Sequence, residues 1–261
     1  MSVDTLAQTI LATSKYRHIS PDLVRRIGER ELAVRRSTKE AIKATKNKLH
    51  QVGGAYFEAK VDYQASLKLL RESNDRLAAC RQLMQLHAST RERLPILDDF
   101  YRTIFAQLPP MQRVIDIACG LNPLAYPWML LLPDAEYLAC DIYGDMIEFL
   151  NGFMALSGIK GQAAVRDVIG RPPTIPADLI LILKTLPCLE QVDKTAAATL
   201  LDQLNGRYLL ITYPAQSLGG RRKGMIANYT DHFYSLANGR NWQVTQFEFE
   251  TELAFLVETE N

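Results

Sequence analysis

From residue 113 onward, short apolar runs alternate with amphipathic stretches. Runs at 113–118, 136–140, 161–166, 178–183 and 207–213 predict strands. The stretches 122–132, 143–157 and 188–205 predict helices between them, and a further helix is expected near 224–237. Leu179-Ile180-Leu181-Ile182-Leu183 lacks polar alternation, the pattern of a parallel strand covered on both faces. The last two β-rich runs, Trp242–Phe249 and Glu252–Glu258, are too close for a crossover and must pair as an antiparallel hairpin. The expectation is an α/β fold, Rossmann-like, with a seven-stranded, mostly parallel sheet closed by that hairpin.

Residues 1–85 follow a different period, and an N-terminal all-helical domain is expected there. Leu6, Ile10 and Leu11 form one short apolar repeat. Ser20-Pro21-Asp22 reads as an N-cap with Pro at the first helical position. Leu23, Val24 and Ile27 then face one side, with Arg25, Arg26 and Arg30 opposite. Ser37-Thr38-Lys39-Glu40 opens another helix, with Ala41, Ile42 and Leu49 inward and Lys39, Lys43 and Lys46 outward. Gly53-Gly54 breaks it, and Tyr63–Leu83 is a further helical region. The division expected is 1–85, helical, and 86–261, α/β.

Composition adds one point. The 261 residues are 48% apolar and 23% charged, enough for a buried core. The net charge of +1 hides an asymmetry: residues 1–85 carry 16 Lys and Arg against 9 Asp and Glu, and the remainder carries 14 against 20. A basic helical part on an acidic remainder suggests a polyanion-binding module, or alternatively a basic solvated surface. Cys80, Cys119, Cys140 and Cys188 lack metal-ligand spacing, so reduced thiols, a cytoplasmic setting and no metal are expected. No secretory signal is evident. The longest apolar run, Pro127–Pro133, is too short to cross a membrane.

The candidate chemistry centres on Arg113-Val-Ile-Asp-Ile-Ala-Cys-Gly120 and on Asp141, at the end of the next apolar run. A small-residue turn after one strand and an acid after the next form a nucleotide site at the carboxyl edge of an open sheet. The turn lacks the full glycine pattern, with Ala118 and Asn122 where glycines are expected, so a pyrophosphate cradle is disfavoured. A nucleoside ligand without phosphates, such as S-adenosylmethionine, fits better. Asp141 would accept from the ribose hydroxyls, or else cap a helix. Asp116 would support the turn or orient the ligand's amino group, or be purely structural. Asp167 would accept from the adenine amino group with Val168 as an apolar face, or form a turn. Lys184 stands where a transferred group would lie. His87-Ala-Ser-Thr-Arg-Glu-Arg93 is either ordinary helix or an anchor for a carboxylate. Ser217-Leu-Gly-Gly-Arg-Arg-Lys-Gly-Met225 is either a basic surface loop or a contact to a phosphate backbone.

His87–Arg93, Asp116–Pro123, Leu183-Lys-Thr-Leu-Pro187 and Ser217–Met225, with Ser14-Lys-Tyr-Arg17 and Gly54-Ala-Tyr56, resemble the 16S rRNA (guanine(1405)-N7)-methyltransferases that confer aminoglycoside resistance. The resemblance covers nearly the whole chain. It implies a class I S-adenosylmethionine-dependent methyltransferase fold and methylation of guanine N7 in 16S rRNA of the assembled 30S subunit. By position, Tyr56, His87, Ala88, Ser89 and Arg93 would line the cofactor site, with Arg93 on the methionine carboxylate. Ala118 and Gly120 would form the turn, Asp141 would hold the ribose, Asp167 and Val168 the adenine, and Leu183 with Gln191 would close the pocket. Arg222 departs from the family, which often has Gly there. Residues 58–80 and the last fifty are more divergent.

Guanine N7 carries a free lone pair and needs no general base. Catalysis is therefore expected from alignment, with Lys184 reaching O6 or a phosphate as a positioning group. RNA contacts are expected from Arg17, Arg25, Arg26, Lys39, Lys43, Lys46, Ser217, Arg221, Arg222 and Lys223. A monomer without membrane contact is expected. The rivals are a methyltransferase for another rRNA site and an inactive RNA-binding relative. An amine-methylating enzyme is disfavoured because Leu-Lys-Thr-Leu-Pro replaces Asn/Asp-Pro-Pro-Tyr.

Overall fold

The computed structural model describes residues 1–53, 56, 61–215 and 224–259. Its sheet has seven strands: β1 (Arg113–Ile117), β2 (Glu136–Asp141), β3 (Gly161–Val165), β4 (Ala177–Leu183), β5 (Gly206–Pro214), β6 (Trp242–Glu248) and β7 (Glu252–Thr259). Their order is β3-β2-β1-β4-β5-β7-β6. The first five strands run parallel, and β7 pairs antiparallel with both β5 and β6. The hairpin and all seven strands lie where the periodicity puts them.

The apolar runs of β1, β4, β5 and β7 feed two cores by strict alternation. Val114, Leu181, Leu210 and Leu256 enter one core with Phe100, Phe149 and Phe153. Ile115, Ile182, Ile211 and Val257 enter the other with Leu200 and Phe233. Burial on both faces removes the need for polar residues, which is why these strands read as unbroken aliphatic runs.

The helices are α1 (Val3–Leu11), α2 (Pro21–Val34), α3 (Thr38–Val52), α4 (Tyr63–Glu72), α5 (Arg76–Met84), α6 (Ala88–Arg93), α7 (Leu97–Phe105), α8 (Gly144–Ser157), α9 (Leu186–Val192), α10 (Ala196–Gln203) and α11 (Met225–Ala237). Three of the expected helices differ. The stretch 122–132 contains a 3₁₀ segment, Asn122–Trp128, because Pro127, inside the stretch, removes an amide donor that an α-helix needs. The expected helix 188–205 is two, separated at Asp193, whose carboxylate accepts from the Thr195 amide and hydroxyl. The region 63–83 is also two helices, each opened by an aspartate cap: Asp62 on Ala65 and Asp75 on Ala78.

The N-terminal helices divide differently from the expected boundary at 85. Helices α1 to α3 share a core of their own, with Leu6, Ile10, Val24, Ile27 and Leu49. In contrast, Leu70, Ala79, Cys80, Leu83 and Met84 belong to one of the two sheet cores. Helices α4 and α5 are therefore part of the α/β body in packing, because α4 lies on α8 and α5 on the 3₁₀ segment 122–128 that follows β1. The α1–α3 unit is tied to the strand edge at β2. Ile142 C=O accepts from Ser20 N at 2.7 Å, and Gly144 N donates to His18 C=O at 2.7 Å.

Candidate functional site

The chain leaves β1 toward β2 on one side of the sheet and returns at β4 on the other, so a crevice opens at their carboxyl ends. Ala118, Asp141 and Lys184 stand at those three ends and line one cleft. Ala118 (φ 50°) and Lys184 (φ 59°) are the two non-glycine residues with left-handed backbone among the described residues. Each conformation costs about 1–3 kcal/mol, and such strain collects at functional sites. Here it turns the chain away from the sheet and leaves room between the strand ends.

Gly120 (φ 51°) completes the turn after β1. Its amide donates to Asp141 Oδ2 at 2.9 Å, while the Ile142 amide donates to Oδ1 at 2.6 Å. A Cβ at position 120 would lie 2.7 Å from the His87 ring. Turn, acid and His87 thus form one unit, and the turn needs glycine for close approach as well as for φ. Burial raises the Asp141 pKa, against the pull of the Gly120, Ile142 and Tyr143 amides.

The wall facing the turn is aromatic. His87 precedes α6, and Tyr56 stacks on it with ring centroids 5.5 Å apart. The Tyr56 hydroxyl lies 2.6 Å from Cys188 Sγ on α9. Burial, with the Lys184 and Arg93 cations behind it, lowers the His87 pKa to about 3, so the ring is neutral. Ser89, Val168 and Leu183 also line the cleft.

Below lies a buried polar network. Arg93 is fully buried and donates to Glu252 through Nη2 at 2.7 Å and Nε at 3.1 Å. Its Nη1 donates to Asn122 Oδ1 at 2.9 Å, and its plane lies 5.0 Å from the Phe100 ring centre. Asn122 Oδ1 also accepts from the Tyr101 hydroxyl at 2.6 Å, and its amide nitrogen donates to Asp116 Oδ2 at 2.9 Å. Tyr137 OH donates to the same Asp116 oxygen at 2.6 Å. Burial raises the Asp116 pKa to about 6 despite these donors. Burial also works against the Glu252 charge, but Arg93 and Lys184 outweigh it and lower its pKa.

Nine of the expected cofactor residues line this cleft: Tyr56, His87, Ser89, Arg93, Ala118, Asp141, Asp167, Val168 and Leu183. Gly120 shapes it from behind. Ala88 is buried at the start of α6 and does not line it. Gln191 is exposed, because α9 turns Cys188, Leu189 and Val192 to the cleft and position 191 to the opposite side. Asp116 does not line the cleft either; it anchors Asn122 beneath the turn.

Lys184 adds ion pairs that the sequence did not show. Its side chain is 5% exposed, and its ammonium donates to Glu92 at 2.8 Å, with Glu252 at 3.3 Å. Lys184 thus lines the cleft with its charge paired to two carboxylates. Arg26 corrects an expectation. Its guanidinium lies on Asp167, with Nε 2.6 Å from Oδ2 and Nη2 2.8 Å from Oδ1. Arg25 pairs with Asp4 and Asp22. Arg17, Lys39 and Lys43 are exposed, Lys46 is half-buried, and these four make no ion pair among the described residues. Gly54, Ser217, Arg221, Arg222 and Lys223 lie outside the described residues.

Sequence inspection missed Glu252, Asn122, Glu92 and Cys188. Glu252 left one signal: an acid opens the run Leu253–Val257, every member of which is buried. Only the pairing of β7 with β5 brings that acid to the ends of β4 and β5, with Pro214 opposite Glu252.

The model of a family described as ribosomal RNA methyltransferase (FmrO) matches residues 12–256. A 16S rRNA (guanine(1405)-N(7))-methyltransferase of Micromonospora rosea is 37% identical over 98% of this chain and 96% of its own length. The crystal structure of the 16S rRNA methyltransferase RmtF in complex with S-adenosyl-L-homocysteine superposes with a TM-score of 0.87 at 32% identity, covering 99% of this chain and 98% of that one. The 16S rRNA methylase RmtB gives 0.85 at 31% identity, covering 100% and 99%. A family model matched over most of the chain and relatives aligned over nearly its whole length show that the chain belongs to the FmrO family of ribosomal RNA methyltransferases.

Proposed function

We propose that this protein transfers a methyl group from S-adenosylmethionine to N7 of guanine 1405 in 16S rRNA of the assembled small subunit, and so confers aminoglycoside resistance. The observation that carries the proposal is full-length similarity to relatives of that activity, on a chain whose cleft keeps Gly120, Asp141 and the Arg93 network assembled. A monomer acting in the cytoplasm suffices, since one chain holds every element of the cleft.

The donor set fits an adenosyl ligand bearing an amino acid. Asp141 would hold the ribose hydroxyls, its two oxygens steadied by the Gly120 and Ile142 amides. Asp167 and Val168 would hold the adenine. Arg93 would hold the methionine carboxylate with the guanidinium protons that Glu252 and Asn122 leave over. When bound, the cofactor supplies an electrophilic methyl group on a sulfonium.

No side chain needs to take a proton from the base, because N7 is already a nucleophile. The chain's task is to align it and to avoid opposing the positive charge that the base gains. Glu92 and Glu252 serve that second need by neutralising Lys184. An uncompensated ammonium beside the acceptor would raise the barrier.

The α1–α3 unit, with Lys39, Lys43 and Lys46 at successive turns of one helix face, is proposed as the rRNA-docking module. We place its boundary near residue 61 rather than 85 on packing grounds, since α4 and α5 join the sheet core. The test is incubation with labelled S-adenosylmethionine and either 30S subunits or naked 16S rRNA, followed by borohydride and aniline cleavage. Cleavage at guanine 1405, dependent on intact subunits, is the expected result. Label at another nucleotide would overturn the target, and no label would favour an inactive RNA-binding relative.

A further inference from the structure

Arg26 was expected to face RNA, yet it is held on Asp167, which lines the adenosyl cleft. It sits on α2, one turn beyond Leu23, which lines that cleft. Its side chain is 19% exposed and that of Asp167 only 4%. The two groups meet in a two-pronged fork at 2.6 and 2.8 Å. The third nitrogen, Nη1, is buried without a hydrogen-bond partner, so the guanidinium forgoes a bond to remain on Asp167. The surroundings are tight: a Cβ at Gly170 would lie 3.3 Å from Asp167 Oδ2 and 3.7 Å from Arg26 Nε.

The fork has a chemical consequence. A carboxylate offers about four acceptor positions. Oδ1 spends two, on Arg26 Nη2 and on the Ile169 amide at 3.2 Å. Oδ2 spends one on Arg26 Nε. One acceptor position on Oδ2 remains, and a bidentate guanidinium fixes the direction it faces. An acceptor of fixed direction welcomes a purine with an amino group at position 6 and repels one with an oxygen there. A lysine could match the charge but not the fork.

We propose that Arg26 is a specificity-determining positioning residue for the cofactor's base. By holding Asp167 in a fork, it leaves one aimed acceptor for the adenine 6-amino group and makes recognition of that base depend on the N-terminal helices. The inference rests on the assignment of Asp167 to adenine made above, and the test separates the two.

Binding of S-adenosylhomocysteine and of its inosine counterpart, with oxygen in place of the 6-amino group, is measured by calorimetry on the full chain. Wild type, R26K, R26A, D167N and L23A are compared, with thermal midpoints recorded alongside. Wild type favours the adenosyl ligand. R26K and R26A lower the ratio of the two affinities by about tenfold or more, the worth of one hydrogen bond to a charged group. D167N removes or inverts the preference, because its amide can donate to the oxygen. L23A weakens both ligands together and leaves the ratio unchanged, as a merely structural lesion in α2 does. A wild-type ratio in R26K, or in R26A if folded, with a changed ratio in D167N, overturns the role of Arg26 alone. An unchanged ratio in D167N overturns the adenine assignment and the inference with it. Because R26K retains charge and most of the side-chain length, the test stands even if R26A does not fold.

Discussion

Glu252→Gln removes one charge and almost no volume, yet it should be among the most damaging single changes in the chain. Glu252 is fully buried and meets two cations, Arg93 at 2.7 Å and Lys184 at 3.3 Å, themselves 0% and 5% exposed. At an effective dielectric constant of about 20, each such contact is worth roughly 4 kcal/mol of Coulomb attraction. Part of this is offset, because the variant no longer desolvates a carboxylate. The net cost of leaving buried cations short of a counterion is about 3–5 kcal/mol. That is a large fraction of the roughly 5–15 kcal/mol that holds a typical domain folded. Urea unfolding of wild type and E252Q should show this loss at unchanged denaturant slope. S-adenosylhomocysteine affinity should fall as well, since the amide leaves Arg93 one acceptor in place of two and no counter-charge. A double-mutant cycle with R93M should return a coupling of about 2 kcal/mol or more. A loss below about 1 kcal/mol in E252Q would refute the reasoning and mean that water or Glu92 compensates for the missing charge.

Three further outcomes are expected. Asp116 has a folded pKa of about 6, against about 4 unfolded. Its contribution is therefore full below about pH 4 and lost as the pH rises through 6. Asp116→Asn keeps the acceptor for Tyr137 and Asn122, so its stability relative to wild type should grow by about 2–3 kcal/mol from pH 4 to pH 7; parallel pH profiles in urea unfolding would contradict the shift. Gly120→Ala should cost more than about 2 kcal/mol by combining a left-handed φ with a Cβ 2.7 Å from the His87 ring, and should abolish cofactor binding by calorimetry; a variant that still binds would show that the turn can relax. Replacing Lys39, Lys43 and Lys46 together with Gln should reduce the slope of log affinity for 30S subunits against log salt by about 2–3, while cofactor affinity stays unchanged. An unaltered slope would move the docking face elsewhere.

Legibility varied with the kind of signal. The seven strands were readable because burial on one or both sheet faces writes itself into aliphatic runs. The Gly120–Asp141 pair was readable because a tight turn and an acid at a strand end are local features on consecutive strands. The break at Asp193 and the 3₁₀ character of 122–128 were harder. Both depend on where amide donors are lost or recaptured, and hydrophobic periodicity is blind to that. The boundary at 85 followed the charge asymmetry, but packing obeys apolar faces, and those of α4 and α5 belong to the sheet. Arg25, Arg26 and Lys184 were read as surface or ligand-facing cations because a sequence lists charges without their counterions.

The sequence by itself determined the strand and helix periods, the antiparallel ending, the glycine-poor turn and the acids at the strand ends, since each is dictated by neighbours within a few residues. The tertiary structure alone decided which charges meet. Glu252 reaches Arg93 across 159 residues and Arg26 reaches Asp167 across 141. The physical reason is that a buried charge must find its partner in space, and that partner is chosen by strand order and helix docking, not by spacing along the chain.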